Sequence, residues 1–295
     1  MKNKFCDCPN LQEKTIHLIA DRLLGDEQLK KLQMRYNDMK SNYDVKSYRN
    51  WQFSEGLKPF NGYTNTTAVP ISIKHPDFIA ITEPQNYKRE LVRGAIGLDL
   101  PTWFNMSSCT KRIMFIAQDP LRSSKWYGDE NPANLCCDAI VSSPFGLHDA
   151  IHCSKGNGGK RFNQLVSRLV EKENFGIYLT DCRKFFVYNR EVSKRISNTE
   201  VVRNHYKEIL LEEIKTVNPD LIVCFGTEAR NYFQSLLPDR KEVLFMPHFS
   251  GTACGAIKSF FDVKEDDRLD IISCVNFYAD KIISYLSSSD SLNRQ

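Results

Sequence analysis

The chain has 295 residues, 41% hydrophobic and 26% charged, with a formal net charge of +4 and a pI near 8.4. This is the balance of an ordinary soluble globular protein, and it permits a nucleic-acid partner without demanding one. No apolar run approaches the roughly 20 residues of a membrane span, and Met1-Lys2-Asn3-Lys4-Phe5-Cys6 lacks the apolar stretch of a secretion signal, so a cytoplasmic protein with no membrane partner is expected.

Ten cysteines are many for such a chain, yet none forms a CxxC pair. Disulfides are not expected in a reducing compartment. Cys224, inside Leu221-Ile222-Val223-Cys224-Phe225, reads as a small hydrophobe. A metal or iron–sulfur site around Cys6-Asp7-Cys8 is the other reading, but the remaining ligand spacing is missing, and neither metal nor cofactor is expected.

Residues 10–45 carry apolar positions at helical spacing (Ile16, Ile19, Leu23, Leu24, then Leu29, Leu32, Met34) and read as two amphipathic helices. From Tyr48 to Thr110 the chain scatters Gly, Pro and aromatics, including Trp51, Phe60 and Trp103, and reads as an irregular extension packed on the core. At Lys111 the pattern changes to alternating strands and helices. Ile113 to Ile116 is a buried strand that runs into Gln118-Asp119-Pro120, and the stretch from Arg122 to Asn134 is a polar loop. Asp138 to Val141 is a short apolar element before the Ser142-Ser143-Pro144-Phe145-Gly146 loop. A glycine-rich start at Gly156 opens a helix from Phe162 to Lys172. Strands then follow at Phe175–Thr180, Leu221–Phe225 and Val243–Met246, with helices at Thr199–Lys215, Glu228–Leu237 and Asp267–Leu286.

This order implies an α/β fold, three layers α/β/α, with a central four-stranded, mostly parallel sheet. The expected division is an N-terminal helical and irregular extension (1–110), a catalytic domain (111–288) and a polar tail (289–295). Three strands end at Asp119, Asp181 and His248, so all three residues arrive at one edge of the sheet, outside the carboxyl ends where ligands bind in such folds. A turn Asp bonded to its own backbone and a loop His bonded to backbone are the alternatives for Asp119 and His248.

Ala117-Gln118-Asp119-Pro120 resembles the first motif of the uracil-DNA glycosylase superfamily, and His248-Phe249-Ser250-Gly251 stands where that family has its His-Pro-Ser-Pro loop. Gly176 to Asp181 is similar to the strand that ends in the family's pyrimidine-reading Asn, and Asn218 to Gly226 to its third core strand. The resemblance spans roughly Lys111 to Lys264. It implies a monofunctional DNA glycosylase that flips a nucleotide out of the duplex. In that reading Asp119 stabilises the sugar cation and orients water, and His248 donates to the base O2. Gln118, Leu121, Phe145 and Asp181 form the base pocket, with Phe145 either the stacking aromatic or a core side chain.

The departures matter more than the matches. Leu121 stands where relatives that exclude 5-substituted pyrimidines have Tyr, and Asp181 stands for Asn. An ionised Asp only accepts hydrogen bonds, which suits the exocyclic amine of cytosine and repels uracil O4. Together they imply a cytosine with a C5 group, as in the anti-phage members that remove glucosylated hydroxymethylcytosine. A protonated Asp181 reading uracil, as in base excision repair, is the alternative, and a non-catalytic nucleic-acid-binding relative a third. Phe249 replaces the motif's Pro. Arg122, Ser123, Lys125, Lys160, Arg161 and Ser250 are the expected contacts to the DNA backbone, the other reading of such charged loops being a solvated face. Thr252 and Ile257 are candidates for the wedge that fills the gap left by the flipped base, and a monomer is expected.

Overall fold

The computed structural model describes residues 1–24, 26, 29–43, 51–53, 96–118, 139–147, 157–187, 200–237, 242–249, 253–264, 266–267 and 269–292. The N-terminal segment forms α1 (Pro9–Ile19), a π-helical turn at 20–24, and α2 (Leu29–Ser41). Short strands β1 (Trp51–Phe53), β2 (Ile96–Asp99) and β3 (Thr102–Phe104) precede β4 (Arg112–Ala117). Then come β5 (Ala139–Ser142), α3 (Asn157–Glu171), β6 (Gly176–Asp181), β7 (Phe185–Val187) and α4 (Glu200–Val217). The chain continues through β8 (Leu221–Phe225), α5 (Thr227–Leu236), β9 (Val243–Met246), α6 (Cys254–Phe260) and α7 (Ile271–Leu292).

The main sheet runs β3-β6-β4-β8-β9. β6, β4, β8 and β9 are parallel, as expected from their continuous apolar runs, which suit strands covered on both faces. The expected four strands are joined by a fifth: β3, from the stretch read as irregular, pairs antiparallel with β6, Trp103 opposite Tyr178. It escapes periodicity because it is three residues long and lies among prolines and aromatics. A second sheet, β1-β5-β2-β7, grows from the same flank. β2 leads through Leu100-Pro101 into β3, and β6 leads through a three-residue chain reversal into β7, so both partners cross from one sheet to the other. The two N-terminal helices match expectation. α3 starts five residues before the expected Phe162, and α6 was not foreseen.

Register assigns the side chains to faces, because successive residues of a strand point to opposite sides. Phe115, Leu179 and Val223 form one row, and Ala117 and Asp181 the last row of the same face. Phe225 shares that face, where Phe162 of α3 and Tyr278 of α7 cover it. Tyr178 and Thr180 point the other way, toward Glu213 of α4. The N-terminus is tied to the edge strand: Cys6 N–H donates to Trp103 O at 2.8 Å, Phe5 packs on Phe104, and the Asp7 carboxylate accepts from the N–H groups of Met106 and Ser107.

Candidate active site

β4 and β6 end side by side, and their pairing continues past the last strand residues. Cys182 N–H donates to Ala117 O at 2.9 Å and Arg183 N–H to Gln118 O at 3.0 Å. The reversal that carries Asp181 is therefore fastened to the backbone that leads out of β4. Asp181 is only 4% exposed. Thr180, on the opposite face, accepts from Lys184 Nζ at 2.7 Å and donates to Glu213 at 2.8 Å. Lys184 Nζ also donates to Glu213 at 2.6 Å. Arg183 pairs with Glu228 of α5 and lies over the ring of Tyr232.

His248 arrives from β9, three strands away or about 14 Å at ordinary strand spacing. Its loop is held by rings. Phe249 is fully buried, its centroid 4.0 Å from Tyr278 and 4.6 Å from Phe162. The Tyr278 hydroxyl donates to Pro247 O at 2.8 Å. Phe249 thus acts as an anchor, and the departure from the family's Pro has a packing reason. Gly226 makes the close approach possible: a Cβ there would lie 3.3 Å from the His248 Cβ, and its φ of +89° is one that side chains rarely adopt. Burial in this apolar setting lowers the His248 pKa below its usual 6.5, which keeps the imidazole neutral near pH 7.

Phe145 stands beside the imidazole, ring centroids 6.4 Å apart, and stacks on Phe162 at 3.8 Å. Its backbone is left-handed (φ 59°, ψ 6°), a conformation that costs a non-glycine residue about 1–2 kcal/mol. Strain of this kind gathers where a side chain must be presented in one direction. His248 also lines a groove of about 250 Å³ together with Thr227, Arg230, Phe245, Pro247 and Phe260. Larger surface grooves, about 570 and 810 Å³, border α1 and carry mixed charges.

Of the expected site residues, Gln118, Phe145, Asp181 and His248 belong to this edge. Asp119, Leu121, Arg122, Ser123, Lys125 and Ser250 lie outside the described residues, as does Thr252. Lys160 is half-buried in the first turns of α3. Arg161 was expected to meet phosphate, but it is 5% exposed and its guanidinium donates to Phe249 O at 3.4 Å, so in this arrangement it braces the His248 loop. Ile257 is fully buried and so is not free to act as a wedge. Sequence reasoning missed Lys184, Glu213 and Tyr278. For Glu213 a signal existed: it interrupts the apolar stripe Tyr206, Ile209, Leu210, Ile214, Val217 of α4. Among the described residues no His, Cys, Asp or Glu cluster could hold a metal ion, and no helix is long and apolar enough to cross a membrane.

A doubly wound sheet with an acid, an imidazole and a stacked aromatic at its carboxyl edge is the frame of an enzyme that handles a nucleobase. The family model described as Uracil DNA glycosylase superfamily matches residues 104–267, more than half of the chain, and the chain belongs to that superfamily. It is a DNA glycosylase, a hydrolase of N-glycosyl bonds with DNA as its partner. No curated protein sequence matches the chain.

Proposed function

We propose that this glycosylase excises a C5-modified cytosine, such as glucosylated hydroxymethylcytosine in phage DNA, and so leaves abasic sites in an invading genome. The observation that carries the reading is Asp181: a nearly fully buried acid in the last row of the strand face that also bears Phe225. An ionised carboxylate can only accept, and cytosine N4–H₂ offers it a donor where uracil O4 does not. Mispairing costs about 1–3 kcal/mol, enough to reverse a preference.

The nucleotide rotates out of the duplex and its base stacks against Phe145. As the bond between C1′ and N1 breaks, positive charge grows on the sugar and negative charge on the base. Asp119 stabilises the sugar cation and orients water, whose hydroxyl adds to C1′ while its proton leaves with the base. Neutral His248 donates to the base O2 from a fixed, desolvated position, which matters more for cytosine than for uracil because cytosine is the poorer leaving group. With Leu121 in place of Tyr, the wall against a C5 substituent is gone. Lys160 and the groove beside His248 supply backbone contacts. On this reading the enzyme acts as a cytoplasmic monomer without a cofactor.

The test is incubation with oligonucleotides that carry uracil, thymine, cytosine, hydroxymethylcytosine or its glucosylated form, followed by alkaline cleavage at abasic sites. Alkali-labile sites at modified cytosine support the reading. Cleavage at uracil alone overturns it and favours a protonated Asp181 in a repair enzyme.

A further inference from the structure

We infer that Lys184 and Glu213 are positioning residues, a buried clamp behind the sheet that fixes the orientation of the Asp181 carboxylate in front of it. The inference rests on the reading that Asp181 is the base-reading group. Both side chains are out of water, at 3% and 1% exposure, and they form a closed set of bonds. Lys184 Nζ donates to Glu213 Oε2 and to Thr180 Oγ1, Thr180 Oγ1 donates to Glu213 Oε1, and the Tyr178 hydroxyl reaches the same oxygen at 3.3 Å. Burial, and then the Glu213 charge, push the Tyr178 phenol well above its ordinary range, so it stays a donor.

The placement of these bonds gives them their use. Thr180 and Lys184 bracket Asp181, Cys182 and Arg183, so the bond between their side chains closes the reversal like a staple. The two backbone bonds from Cys182 and Arg183 to Ala117 and Gln118 fasten the same segment to the β4 exit, which leads directly to Asp119. Arg183, drawn to Glu228 and Tyr232, secures its third side. Adjacent residues of a strand face opposite sides, so holding Thr180 from behind fixes the direction of Asp181 in front. A buried ion pair is a poor way to add stability, since a well-packed apolar pair of similar volume commonly does as well or better. Its advantage lies in direction, because hydrogen bonds fix an angle where apolar contact does not.

The test compares the wild-type enzyme with Lys184→Met, Glu213→Leu and the double variant K184M/E213L. Each single change strands a buried charge and is expected to lower the melting temperature, whereas the double variant is expected to melt close to wild type. At that matched stability the double variant should lose about 100-fold in kcat/KM on the modified-cytosine oligonucleotide, with its preference over uracil eroded in proportion, as a shift near 1 Å can do. Independently of activity, the Cys182 and Arg183 amides should exchange with solvent about tenfold faster in the double variant. A double variant with wild-type stability, amide protection and base preference overturns the inference and leaves the pair as core filler. If wild type cuts only uracil, the substrate reading fails, while the amide measurement still decides the clamp.

Discussion

The reversal after β6 and the loop after β9 deliver Asp181 and His248 to one edge of one sheet, but they are fastened by different physics. Behind Asp181 stand an ion pair and three further hydrogen bonds, all out of water, whereas around His248 stand mainly stacked rings, with one tyrosine hydroxyl and the Arg161 guanidinium bonded to its loop backbone. Directional bonds set an angle and fail abruptly, because removing one partner strands the other. Packed rings set a position and a low dielectric, and they fail by degrees as neighbours shift into the space. On the proposed reading Asp181 distinguishes one base edge from another, and such a group needs the angle. An imidazole that must stay neutral and desolvated needs the apolar shell, and its lowered pKa is a consequence of that shell.

The contrast can be broken at several points. The largest effect is expected for Glu213→Leu, which should cost about 3–5 kcal/mol in chemical denaturation, most of it recovered when Lys184→Met is added. Recovery of stability is the signature of an ion pair and should have no counterpart on the other loop. There, Phe249→Ala is expected to cost about 3–4 kcal/mol with no second change that restores it, and to raise the His248 pKa toward its ordinary value, readable by NMR titration. Removing the imidazole itself, His248→Ala, should lower kcat on modified-cytosine DNA by about 10²–10³, with binding to uncleavable DNA nearly unchanged.

Tyr278→Phe is the mildest structural change. It loses a bond to a half-buried carbonyl and should cost about 1 kcal/mol by thermal unfolding. The smallest expected effect is one of pH. Because the folded-state pKa of His248 lies below 6.5, its neutral form contributes stability in full above pH 6.5, and that contribution falls away as pH drops toward the folded value. A His248→Asn variant should show a flatter stability profile on the acid side of 6.5, and the acid limb of the wild-type rate should begin below 6.5. A limb centred above 6.5 would mean that the charged imidazole is not the species being avoided.

The four parallel strands were legible because each is an uninterrupted apolar run closed by turn residues, and their shared edge followed from their shared direction. β3 was not legible, since three residues carry no period and its partner lies some 75 residues on. His248 and Asp181 could be read from their place at strand ends. The shell around them could not: Tyr278 lies beyond the family match, on a helix whose pattern says only that one side is buried. Arg161 shows the same limit from the other side. A basic residue at a glycine-rich helix start suits phosphate by its local chemistry, and only the tertiary packing of α3 against the His248 loop sends its guanidinium inward. Charge in sequence does not reveal the direction in which a side chain is spent.

The strand Thr102–Phe104 has one more consequence. It straddles the start of the family match, seals the open flank of β6, and is itself hydrogen-bonded to Cys6 and Asn105 to Lys4. An excised piece beginning at residue 104 would therefore present a raw row of amides and carbonyls beside the very strand that ends in Asp181. Such a piece should self-associate through that seam. The N-terminal residues that bond to this strand are in this sense the selvedge of the fabric, woven in with the rest, and cutting them away would fray the cloth where it carries its pattern.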